Sequence, residues 1–90
     1  MRKIAILTIA AVTLGAAAAH AGSLGKPCTS APEAQWLPMR QLQTKVEAQG
    51  YKVQKAKLKN ACGEFYTLDK NGNRVELFVD PTNGQIIGQI

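Results

Sequence analysis

Along residues 74–79 apolar and polar positions alternate without a fault. Val75, Leu77 and Val79 fall on one side, and Arg74, Glu76 and Phe78 on the other. A period of two over six residues predicts a strand with one face toward a core. Residues 64–68, with Phe65 and Tyr66, predict a second strand. Between them Asp69-Lys70-Asn71-Gly72-Asn73 is a turn whose Asn-Gly suits positive φ. Asp80-Pro81-Thr82-Asn83-Gly84 is another turn, with Pro early and Gly late, and residues 85–90 follow as a short last strand. Residues 51–59 alternate with a fault. Tyr51 and Val53 are apolar on odd positions, whereas Ala56 and Leu58 are apolar on even ones. One face cannot hold both sets unless a bulge near Gln54-Lys55 resets the register. Asn60-Ala61-Cys62-Gly63 reads as the turn that leads to the next strand.

Upstream the period changes. Met39, Leu42 and Val46 at i, i+3 and i+7 predict a helix over residues 38–49 with one apolar stripe. Pro38 suits its first position, where a missing N–H costs nothing. Gly50 is its left-handed end, and Tyr51 beyond it can fold back on the last turn. One helix followed by four strands on short links predicts an α+β fold, with the helix packed on one face of an antiparallel β-meander. Residues 22–35 have no period and form an irregular arm tied down only through Cys28. Trp36, the single tryptophan, marks where the arm meets the core of a domain over residues 36–90.

Residues 1–21 change how the composition is read. Arg2 and Lys3 precede an uncharged, alanine-rich run from Ile4 to Ala19, and Ala19-His20-Ala21 is a small-x-small cleavage site. This is the pattern of a secretory signal peptide cut after Ala21, too short for a good membrane span. The expected location is periplasmic or secreted, with no stable membrane insertion after cleavage. Cleavage leaves 69 of the 90 residues and lowers the formal net charge from +5 to near +3, so the basic pI of the full chain overstates the mature protein. His20, the only histidine, leaves with the signal.

A domain of this size buries about 60% of its unfolded surface and often needs a staple. Cys28 and Cys62, an even pair in an oxidising compartment, are expected to form a disulfide. They do not form a CxxC pair, and two thiolates without histidine make half a zinc site.

Candidate chemistry is sparse. The cluster at residues 69–73 looks slightly like a calcium loop, but Asp69 is its only carboxylate. With Gly72 in the invariant glycine place, the closing ligand falls on Phe78 and the first on Thr67, so the expectation is a turn. Ser23, Ser30 and the threonines lack a histidine partner, and Glu33, Glu47, Glu64, Asp69, Glu76 and Asp80 are scattered. No catalytic residue, metal or cofactor is expected. Lys55, Lys57 and Lys59 share one face of the first strand. They form either a solvated face that discourages edge pairing or a docking surface for an acidic partner or an anionic envelope component. Few aromatics interleave with them, which argues against nucleic acid.

The order of these features resembles a known family. A signal peptide, a Cys-containing arm, Trp36, a helix ending in "EAQGYKV", a Cys turn and "DKNGNRVELFVDPTNG" are similar to the small exported PepSY-like proteins of bacteria. The likeness covers residues 28–88, and Gly50-Tyr51, Glu64, Asp69, Gly72, Asp80-Pro81 and Gly84 carry it best. The family pattern has an aromatic right after the second cysteine. Gly63 stands there in this chain, with Phe65 or Tyr66 available to fill similar space. PepSY modules occur in propeptides of thermolysin-like metallopeptidases, which they inhibit or chaperone. The resemblance therefore implies a non-catalytic binding module that regulates or inhibits a peptidase. The alternatives are a structural or stress-related envelope protein, or a small-ligand binder using a concavity between helix and sheet, with no peptidase target. The chain leaves the identity of the partner and the oligomeric state open.

Overall fold

A computed structural model describes residues 22–90. After a 3-10 turn at Glu33–Gln35 come one helix, α1 (Met39–Ala48), and four strands: β1 (Lys52–Lys59), β2 (Cys62–Leu68), β3 (Arg74–Val79) and β4 (Ile86–Gln89). The strands pair antiparallel in the order β1-β2-β3-β4, so the α+β meander expected from the pattern is the observed architecture.

The periodicities set the layers. Leu42 and Val46 lie on the stripe of α1 and are fully buried against Phe65, Leu77 and Val79. Met39, Val53, Ala56 and Val75 pack around them, and Tyr51 folds in behind the helix end. Burying a Leu or Phe side chain of this kind stabilises by about 1.5–3 kcal/mol. Gly50 (φ 102°) ends α1 in a left-handed conformation that costs a residue without Cβ nothing. Pro38 differs from expectation. Its ψ is 148°, so it is the extended cap before the helix, not its first residue, and its carbonyl accepts the first bonds from Gln41 N and Leu42 N.

The register fault in β1 is a bulge. Val53 pairs with Thr67 and Lys55 with Tyr66, leaving Gln54 as the extra residue. It returns Ala56 to the helix side, opposite Phe65. The link from β1 to β2 is tighter than the four-residue turn expected. Asn60 and Ala61 alone make it, both with positive φ (52° and 60°), while Cys62 and Gly63 already lie in the strand. The pattern of two consecutive left-handed residues matches the twist of the hairpin.

The largest departure concerns the arm. It is tied by more than Cys28 and covers much of the sheet face away from α1. The Cys28–Cys62 disulfide joins it to β2, Leu24 packs with Phe78, and the Gly22 amide donates to Glu76 Oε1 at 2.9 Å. Phe78, on the expected polar side of β3, is therefore fully buried. Trp36 also differs. It is half-buried, donates its indole N–H to Ala31 O at 3.0 Å and steadies the arm's own bend. Leu37 makes the junction instead, packing on the core and donating its amide to Pro81 O at 2.8 Å.

Candidate functional site

Strand order leaves β1 at one edge of the sheet, and the bulge at Gln54 twists it. Past the bulge, Lys55, Lys57 and Lys59 project from the face away from α1, opposite Tyr66, Glu64 and Cys62 respectively. Two of the three lysines converge. Lys55 Nζ lies 6.0 Å and Lys57 Nζ 5.8 Å from the centroid of the Tyr66 ring. Ring faces attract cations at this range with about 0.5–1 kcal/mol at an exposed site. The attraction offsets part of the repulsion between two ammonium groups on alternate residues. Lys59 stands apart, opposite Cys62 at the end of the strand.

Beneath this cationic pair lies a carboxylate. Glu64 is only 3% exposed, and its Oε1 is buried with no hydrogen-bond partner among the described residues. Lys57 is its register partner, yet the Lys57 ammonium lies over the Tyr66 ring. Glu64 thus sits below the patch and lowers its positive potential without closing it off from solvent. Strand periodicity alone put the lysines on one face. The roles of Tyr66 and Glu64 needed the cross-strand pairing, which the bulge shifts by one residue.

The other candidate, the loop after β2, is consumed by its own backbone. Asp69 Oδ1 accepts from the amides of Asn71 (2.8 Å) and Asn73 (2.9 Å), and Oδ2 accepts from Asn73 Nδ2 at 3.4 Å. Gly72 takes positive φ (85°) so that its amide reaches Asp69 O. The Asn73 amide, foremost among these donors, holds the Asp69 carboxyl below its usual pKa of 3.8. The second turn repeats the device, with the amide and hydroxyl of Thr82 both donating to Asp80 Oδ1. Among the described residues no group of three or more His, Cys, Asp or Glu could hold a metal ion. A shallow polar cleft lies between the end of α1 and this loop, lined by Gln49, Gly50, Tyr51, Asp69, Lys70 and Asn71. Between helix and sheet, Leu42, Val46 and Phe65 are fully buried.

The model of the family described as peptidase propeptide and YPEB domain matches residues 5–90. The chain belongs to that family. No curated protein and no solved structure matches it. PepSY domains are associated with peptidase propeptides and inhibitors and are generally non-catalytic. At Gly63, where the resemblance implied an aromatic, this PepSY chain fills the space from its own core. A Cβ on Gly63 would lie 3.0 Å from Phe65 Cε1, so Phe65 occupies that space, while Tyr66 points to the other face. Among the described residues no helix is long and apolar enough to cross a membrane. The signal peptide expected over residues 1–21 lies outside the described residues.

Proposed function

We propose that this PepSY domain is an exported, non-catalytic module that restrains a peptidase by docking it along β1. Family membership supports the kind of partner. The observation that carries the surface is the pairing of an edge strand with a cationic patch. β1 has eight residues, lies outermost in the sheet, and presents Lys55 and Lys57 above Tyr66. An extended partner segment can add to such an edge through main-chain hydrogen bonds, and acidic side chains on it would meet the lysines. Lys59 lengthens the same positive stripe beside the disulfide. Chemistry is left to the partner, and this chain acts by masking.

The test is inhibition of a thermolysin-like metallopeptidase by purified protein and by the variant carrying Lys55→Glu and Lys57→Glu. The expected result is inhibition by the native protein, weakened by charge reversal and by added salt, with little change in thermal stability. Exposed charges are screened beyond about 8–10 Å at physiological ionic strength. A reversed variant that folds and inhibits equally at the same salt would show that the lysines only solubilise the edge. Absence of inhibition by either protein, across exported peptidases, would favour the envelope-protein alternative.

A further inference from the structure

Glu76 is a carboxylate in the wrong place for a polar strand face. It is 8% exposed, beneath the start of the arm. Its Oε1 accepts one hydrogen bond, from the Gly22 amide at 2.9 Å, across 54 residues of chain. Its Oε2 is buried with no partner among the described residues. A carboxylate offers about four lone-pair sites, and a buried charge with one neutral donor is poorly compensated.

The surroundings of Gly22 are built to a close tolerance. A Cβ there would collide with Ile90 Cδ1. Ile90 is itself held to Glu76 by two backbone hydrogen bonds, Glu76 N to Ile90 O and Ile90 N to Glu76 O. Two residues further along the arm, Leu24 rests on Gly88, where a Cβ would come within 2.7 Å of Leu24 Cδ1. The Gly22 nitrogen is aimed at the carboxylate, and the Ile90 side chain closes over the same residue. The sequence independently places the small-x-small cleavage site Ala19-His20-Ala21 immediately before this same residue.

We infer that Glu76 is a socket for the α-ammonium group that leader removal creates at Gly22. Hydrolysis of the Ala21–Gly22 bond by an exported leader-removing peptidase consumes one water. The hydroxyl goes to the Ala21 carbonyl carbon and the remaining hydrogen to the Gly22 nitrogen. At neutral pH the acid proton then moves to that amine, leaving a carboxylate on Ala21 and an ammonium on Gly22. One neutral N–H at Glu76 becomes three donors and a positive charge. Those donors can reach the unpartnered Oε2 as well as Oε1, and the ion pair is partly shielded from solvent. Processing therefore strengthens the contact that already holds the start of the arm to β3. This inference rests on the export reading but on no peptidase target.

The experiment uses the full chain, exported by its own leader and purified. Intact mass is expected to show a first residue of Gly22. An amine-selective acylating reagent then reads the α-amine, with the exposed Lys52 and Lys59 as internal controls. The α-amine is expected to react at least ten-fold more slowly in the native protein than in Glu76→Gln, with lysine rates unchanged. Glu76→Ala, which removes the acceptor of the Gly22 nitrogen altogether, should unmask the amine in the same way if Glu76→Gln fails to fold. A leader that stays on, or is cut elsewhere, overturns the export reading and the socket together. A leader cut at Ala21 with an α-amine as reactive as in both variants overturns the socket alone.

Discussion

Removing the Cys28–Cys62 bridge with Cys28→Ala and Cys62→Ala together tests how much of this small domain rests on its staple. Both positions change because one remaining thiol would stay buried beside Phe78. The bridge spans 34 residues. Loop-closure entropy for that span gives a loss of about 4 kcal/mol on the chain-entropy model. A 69-residue domain is expected to have a net stability of roughly 3–10 kcal/mol, so the loss is a large fraction of the total. At about 4–8 °C per kcal/mol for a domain of this size, Tm should fall by roughly 15–30 °C. The assay is urea unfolding followed by two probes, Trp36 fluorescence within the arm and far-ultraviolet circular dichroism for the sheet. Coincident transitions shifted together are expected, because the arm and sheet share the core around Phe78. A loss below about 1 kcal/mol would refute the reasoning. So would a Trp36 transition that precedes an unshifted sheet transition, since the bridge would then hold only the arm.

Three further outcomes follow from local geometry. Ala61→Gly should stabilise by roughly 0.5–1 kcal/mol in thermal or urea unfolding, because Ala61 holds φ 60° in the β1–β2 turn, where a Cβ is penalised. Gly63→Phe should destabilise by about 1–3 kcal/mol through overpacking against Phe65, and Phe65→Ala in the same chain should recover part of that loss. The folded Asp69 carboxyl is held below 3.8 by the turn amides, so its contribution is present above the unfolded pKa and lost as pH falls through the folded one. Stability of the native protein should therefore drop below about pH 4 more steeply than that of Asp69→Asn, which keeps an acceptor oxygen without the titrating charge; parallel pH profiles would show that the charge contributes nothing.

Most elements of this fold are local and were legible in the sequence. Val75, Leu77 and Val79 need only a period of two to face one core, and Leu42 and Val46 need only a helical turn between them. Even the bulge at Gln54 followed from sequence, because Val53 and Ala56 cannot share a face without an extra residue. Asp69 to Asn73 carry their own turn in side-chain acceptors placed two and four residues from the donors. Only the tertiary structure decided which side of the sheet was water. The arm has no period, so beyond Cys28 nothing in residues 22–35 announces where it lies. Its position is set by contacts 34 and 54 residues away, at Cys62 and Glu76. Those contacts turn Phe78 and Glu76 from expected surface residues into buried ones. Burial of that kind is a property of the assembled chain, because a strand's own pattern distinguishes its two faces but not what comes to cover the second.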